Sequence, residues 1–200
     1  IEIDGKLDDH VWIQSSGWGK GRLKEVKSGR RPVFPTSFRL AWKDNNLYVG
    51  IRCDDTHDKT VNIGTDSPED PAIWYGDVVE ILLETDKKAY YQIAISPAGV
   101  VADMHRRGGA HGKRVWRWDS QAEVATHIGE DSWTVEARIP VVEKSADPYH
   151  QVIGSKPQES MPWYFNVCRQ RVRGEEREWS AFSPTGSSFH VPAKFAKLYY

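Results

Sequence analysis

The chain has 200 residues with 27 Lys and Arg against 28 Asp and Glu, and its 39% hydrophobic and 12% aromatic content is that of a folded domain rather than a disordered tail. A formal charge of −1 offers a polyanion no general attraction, which argues against nucleic acid, and no run reaches the roughly 18 apolar residues of a membrane span. A single domain over 1–200 is expected, since a chain this long buries about 70% of its unfolded surface and needs no metal or disulfide merely to fold.

The opening residues, IEIDGKLDDH, are acidic and do not read as a targeting segment, with a short helical turn expected after Asp8. Because structure starts at once, the expectation is a domain from a larger or secreted protein, working outside the cell, at its surface or in a periplasm. Two alternating runs, Phe38 to Trp42 and Leu47 to Cys53, flank the turn Lys43-Asp44-Asn45-Asn46 and predict a hairpin. Its inward face is Phe38, Leu40 and Trp42 with Leu47, Val49, Ile51 and Cys53, which makes Cys53 a core residue. Whether Cys53 and Cys168 pair stays open. A long loop is expected over Thr56 to Ile73. Val78 to Leu83 and Tyr90 to Ile95 then form a second hairpin around Thr85-Asp86-Lys87-Lys88, and Val100 to Met104 returns after Ser96-Pro97-Ala98-Gly99.

The stretch Arg106 to Lys113 reads as another loop, followed by strands at Ala122 to His127, Trp133 to Ile139, Trp163 to Arg171 and Ala193 to Tyr199, with a helical turn after Pro140. Short strands, turn signals and little helix predict an all-β sandwich of two antiparallel sheets with long inter-strand loops.

Nine Trp in a polar chain suggest rings held at a surface for stacking. In Ile73-Trp74-Tyr75-Gly76-Asp77 an aromatic pair stands beside a carboxylate, the combination a sugar site needs: an apolar C–H face to stack and hydroxyls to bond. The alternative, in which Trp74 fills the end of the sandwich and Asp77 caps a turn, stays open. Trp179, in a polar loop, is the best candidate for an exposed ring. Asn166 and Arg169 differ by three and fall on opposite faces of an ideal strand.

Ile3 to Asp9 with Trp12, the Phe38 to Asp55 hairpin, Trp74 to Asp77 with Glu80, Tyr91 to Gly99, Trp133 to Pro140, and Phe165-Asn166 with Arg169 and Trp179-Ser180 together resemble the family 9 carbohydrate-binding modules, in order over nearly the whole chain. The resemblance implies a β-sandwich with structural calcium and a non-catalytic role in binding oligosaccharide or polysaccharide, often beside a catalytic domain of the same chain. It also implies that Trp74 and Trp179 stack on a terminal sugar, with Asp77, Asn166 and Arg169 as polar partners. Glu80 belongs to the same motif or is a structural acid. The family contains relatives with other ligands, haem among them, so a haem-binding or protein-interaction role is the alternative.

Arg106, Arg107, His111, Lys113, Arg114 and Arg117 with Trp116 and Trp118 form a basic, aromatic insertion that offers contacts to an anionic sugar, a uronate or a sulfate. The favoured reading is a solvated hairpin whose Trp residues pack on the sandwich, with neutral sugars binding as well as uronates. Asp54-Asp55-Thr56-His57-Asp58, with Asp8 and Asp9, offers oxygen ligands, and Asp54, Asp55 and Asp9 are the expected calcium site. The histidines have no zinc spacing. No GxSxG, HExxH or phosphate loop is present, and Glu80 and Glu84 share a strand face at ~13 Å, too far for glycoside hydrolysis.

Overall fold

The computed structural model describes residues 1–13, 19–56, 60–86, 89–107 and 113–200. After one helical turn, α1 (His10–Ile13), come β1 (Gly19–Arg22), β2 (Lys24–Glu25), β3 (Thr36–Lys43) and β4 (Asn46–Asp54). A 3-10 turn over Pro71–Tyr75 precedes β5 (Val78–Asp86), β6 (Ala89–Ile95), β7 (Val101–Arg107) and β8 (Lys113–Val115). Then follow β9 (Glu123–Ile128), β10 (Ser132–Val142), β11 (Val152–Ile153), β12 (Trp163–Arg173), β13 (Glu176–Ala181), a 3-10 turn over Pro192–Lys194 and β14 (Ala196–Leu198).

The strands form two sheets. One has the order β1-β3-β4-β10-β11 with β9 also on β10, and the other β2-β13-β12-β5-β6-β7-β8 with β14 also on β12. Every pairing is antiparallel except β10 with β11. The all-β sandwich expected from alternation is the one observed. Between the sheets the expected hairpin face (Phe38, Leu40, Leu47, Val49, Ile51 and Cys53, with Trp42 only partly buried at its margin) meets Val79, Ile81 and Leu83 of β5, Ile93 of β6 and Val167 of β12.

Four local expectations change. The turn after Pro140 is strand: Pro140 lies opposite Asn46 of β4, in the gap where the β9 ladder has ended and the β11 ladder begins, so its missing N–H breaks neither. The stretch around Trp179 is β13, hydrogen-bonded to β12 through a turn in which Gly174 has φ +57°. Arg106 and Arg107 end β7 and pair with Arg114 and Lys113, making a hairpin of the expected loop, while residues 108–112, His111 among them, lie outside the described residues. Residues 87–88 of the β5–β6 turn lie outside them too. The expected last strand is shortened to β14 by the Pro192–Lys194 turn.

Cys53 and Cys168 are both buried and free, Cys53 between the sheets and Cys168 on the outward face of the second one. Burial pushes the Cys53 thiol up to about 12 and the Cys168 thiol well above its usual value, so neither forms the reactive thiolate at neutral pH. A thiol reagent is therefore expected to label neither residue until the protein unfolds, and a reductant to leave the thermal midpoint unchanged. Rapid labelling of the native protein would contradict this placement.

Candidate functional site

Strand parity decides which side chains of the second sheet point outward. In β5, β6 and β12 the apolar runs are interrupted on that outward face by Glu80, Gln92 and Gln170, all buried. Glu80, Gln92 and Gln170 need partners and find them in one another and in two tryptophans, while Asn166, buried on the same face of β12, finds its own in the backbone of Ser183. Trp74 Nε1 donates to Glu80 Oε1 at 2.7 Å, and Gln92 Nε2 donates to Glu80 Oε2 at 2.9 Å. Trp179 Nε1 donates to Gln170 Oε1 at 2.9 Å, while Gln170 Nε2 donates to the carbonyls of Trp74 at 2.8 Å and Gly76 at 2.9 Å. One amide thus fixes both aromatic elements; Trp179 is exposed, whereas Trp74 is half-buried and packs on the cluster of Ile73, Val78, Ala94, Val100 and Ala102.

The loop before β5 sets Trp74. Asp70 caps the Pro71–Tyr75 turn, accepting from the Ala72 N–H at 2.9 Å and the Thr65 hydroxyl at 2.8 Å. Gly64 and Gly76 cross so closely that a Cβ on either would strike the backbone at the other crossing. Together with Glu80, Gln170, Ser188, Phe189 and His190, the two tryptophans line a cleft of about 180 Å³. That is below the roughly 300 Å³ at which drug-sized pockets begin, a size for a single ring. Trp179 is 37% exposed, and its ring stands 6.4 Å from that of Phe189.

Behind the cleft the network continues. Arg106 Nε donates to Gln92 Oε1 at 2.6 Å, and its Nη2 reaches His190 Nε2 at 3.3 Å. A guanidinium only donates, so Nε2 accepts and Nδ1 carries the ring proton, facing the Tyr90 hydroxyl at 3.0 Å. Burial, then the charges of Arg106 and Arg114, push the His190 imidazole down to about 3, so it stays neutral. Burial raises the Glu80 carboxyl to about 7, against the opposing pull of the Trp74 bond, the Arg106 charge and the Gln92 bond.

Of the five side chains that the resemblance puts on a ligand, Trp74 and Trp179 meet at this cleft and three do not. Asp77 is fully buried and accepts from the N–H groups of Val172 at 2.7 Å and Asn62 at 3.1 Å and from Arg173 at 2.6 Å. Asn166 is equally buried, exchanging two 2.9 Å bonds with the backbone of Ser183. Arg169, 1% exposed, points to the other face, as its spacing from Asn166 requires, and bonds Asp55 at 2.9 Å and the carbonyls of Phe34 at 3.2 Å and Asp54 at 2.8 Å. In their place stand Gln92, Gln170 and His190, which sequence reasoning did not single out, with Arg106 of the basic insertion. The available signal was a polar residue of outward parity inside each strand: Glu80 in VVEILL, Gln92 in YYQIAI and Gln170 in VCRQRV.

The three expected calcium ligands, Asp54, Asp55 and Asp9, are each bonded to groups of the protein itself. Asp55 is surrounded by Arg169, Arg171 and Arg173 at 2.7–2.9 Å, Asp54 pairs with Arg52 at 3.0 Å, and Asp9 accepts the N–H of Glu2 at 2.9 Å. A carboxylate already matched by three guanidiniums has no charge to offer a cation. His57 and Asp58 lie outside the described residues. Among the described residues no three His, Cys, Asp or Glu side chains converge as a metal site; the buried Asp103, whose Oδ1 is unpartnered, has the exposed Glu69 beside it, which accepts its N–H. A larger depression of about 520 Å³ lies on the outer face of the first sheet, but Trp12, the tryptophan among its described lining residues, is 3% exposed and spends its N–H on Glu136, so it offers no stacking face. No helix among the described residues is long and apolar enough to cross a membrane.

The carbohydrate family 9 binding domain-like model matches residues 3–199. A putative carbohydrate-binding protein of Bacteroides uniformis shares the fold with a TM-score of 0.71 at 19% identity, covering 94% of this chain and 88% of that one. A family 9 carbohydrate-binding module of Caldicellulosiruptor kristjanssonii is similar both in complex with cellotriose (TM-score 0.63, 20% identity, 100% of this chain and 88% of that one) and with glucose (0.62, 18%, 100% and 90%). No curated protein matches the chain.

Proposed function

Because the chain belongs to the carbohydrate family 9 binding domain-like family, whose modules bind without catalysing, we propose that it holds an oligosaccharide in the cleft between Trp74 and Trp179. The observation that carries this reading is the shared anchor: Gln170 ties down both aromatic elements through one amide, presetting two rings over a polar floor. Preset rings cost little entropy on binding, and a pyranose has an apolar face for each ring and hydroxyls for Glu80 and Ser188. The sugars bound by the C. kristjanssonii module support the same ligand class. In this reading the domain brings an attached catalytic domain to polysaccharide outside the cell.

The test is quenching of tryptophan fluorescence by cellotriose and a panel of other neutral and acidic oligosaccharides. Wild type is expected to saturate in the micromolar to millimolar range, and Trp179→Ala to lose about 2 kcal/mol, roughly thirtyfold in Kd. No response to any sugar, or a variant that binds as wild type does, sinks the proposal.

A further inference from the structure

The cleft does not end at Trp74. Trp116, just past β8 and 38% exposed, packs its ring edge-on against Trp74, with centroids 6.1 Å apart and planes at 78°. Trp118, two residues on, is instead buried in the core at 1% exposure, so the insertion splits between packing and surface. The register explains what accompanies Trp116. Arg114 lies directly opposite Arg106, and opposed residues of an antiparallel pair share a face, so Arg114 stands on the cleft side of the sheet.

Its charge differs from that of Arg106 in having no counterpart. Arg106 is bonded to Gln92 and lies near Glu80, whereas among the described residues no carboxylate pairs with the exposed Arg114. Its guanidinium is near enough for its charge to bear on both Arg106 and His190, the latter a lining residue of the cleft. Beyond it opens a cavity of about 330 Å³ lined by Arg107, Arg114, Val115, Trp116, Arg117 and Tyr149, with no acidic side chain among the described residues. Arg117 is held there over the Tyr149 ring at 4.9 Å. With a whole-chain charge of −1, this cationic rim is a local feature and not part of a general positive field.

We propose that the cleft selects acidic glycans, with the carboxylate or sulfate of the sugar beside the one stacked at Trp74 and Trp179 bonded to Arg114 and its pyranose resting on Trp116. This rests on the sugar-binding reading above. A guanidinium fork matches either anion with two parallel hydrogen bonds.

Calorimetric titration of wild type with cellobiose, its C6-carboxylate counterpart and its 6-sulfate, at low and at 0.5 M salt, tests it. At least one acidic sugar is expected to bind about tenfold tighter than cellobiose at low salt, with the gap narrowing at high salt. In Arg114→Gln the acidic-to-neutral ratio is expected to fall to about one, and in Arg114→Lys, which keeps the charge, to remain above it. The two acidic arms separate carboxylate from sulfate recognition. Equal affinities in wild type, a preference that survives Arg114→Gln, or no heat with these three sugars beside a response to another of the panel overturns this inference alone, while no response to any sugar of the panel overturns the sugar-binding reading and this one with it.

Discussion

Replacing Asp55 with Asn is expected to destabilise the protein by about 3–5 kcal/mol, a fall of roughly 6–20 °C in the thermal midpoint of a chain this size. Arg169, Arg171 and Arg173 alternate along β12 and project from one face at the end of the sandwich, where a hydrophobic core gives way to loops. All three converge on Asp55, whose side chain is 5% exposed, and Arg173 also bonds the fully buried Asp77 at 2.6 Å. Removing one charge from such a cluster leaves guanidiniums buried without a counter-ion, which is why breaking a buried pair costs far more than the pair is worth. Asp54→Asn serves as the control: its pair with Arg52 is 44–46% exposed and is worth at most about 1 kcal/mol.

The pH dependence has a definite sign. Burial pushes the Asp55 carboxyl up, but the Arg171 bond, the Thr56 N–H and the charges of Arg169 and Arg173 outweigh it and hold it below the usual value of 3.8. Its contribution is therefore fully present above pH ~4 and is lost as pH falls through the lowered value. Acid unfolding of Asp55→Asn should lack that component. Equal, small losses in Asp54→Asn and Asp55→Asn would refute the cluster, and a midpoint that falls on chelation in wild type but not in Asp55→Asn would restore a metal at this turn.

The sandwich was legible because alternation and turn residues are local. Phe38 to Cys53 shows it: one apolar face, and Asp44 and Asn45 in the left-handed backbone such turns need. The strand β13 was not legible, since Glu176-Arg177-Glu178 has no apolar residue and its strand state comes from pairing with β12. The two cleft tryptophans came from the family resemblance together with their aromatic and polar neighbourhood, but the polar partners the resemblance implied were not weighed against strand parity. Asp77 and Arg169 have the parity of the inward-facing Val79 and Val167, whereas Glu80 and Gln170 have that of the outward face. Asn166 has the outward parity but lies under the chain at Ser183. Likewise the acidic run at Asp54 and Asp55 reads as a cation site because the sequence does not show that β12 brings Arg169, Arg171 and Arg173, 114–118 residues away, to Asp55.

Glu80→Gln should flatten the pH dependence of stability by about 3 kcal/mol between pH 4.5 and roughly 7.5. The folded carboxyl titrates at about 7 against an ordinary 4.5, so it binds a proton in the native state that the unfolded chain has released. Stability from this group is complete below pH 4.5 and is lost as pH rises through about 7. Burial also raises Glu69 to about 7 and Asp103 to about 6, so the slope of wild type alone does not isolate Glu80, but the difference between wild type and variant does.

The variant carries its own cost at low pH. Arg106 Nε fixes the Gln92 amide with its oxygen turned toward the guanidinium and its NH₂ toward position 80, and Trp74 Nε1 points there as well. A glutamine has one acceptor oxygen for those two donors. Turning the Gln92 amide over only moves the clash to Arg106. Glu80→Gln is therefore expected to start below wild type at pH 5 and to close the gap as pH rises to 8, a relative gain worth ~6–12 °C in thermal midpoint. Parallel stability curves across that range would mean that Glu80 is ionised throughout, and the floor of the cleft would then carry a fixed negative charge.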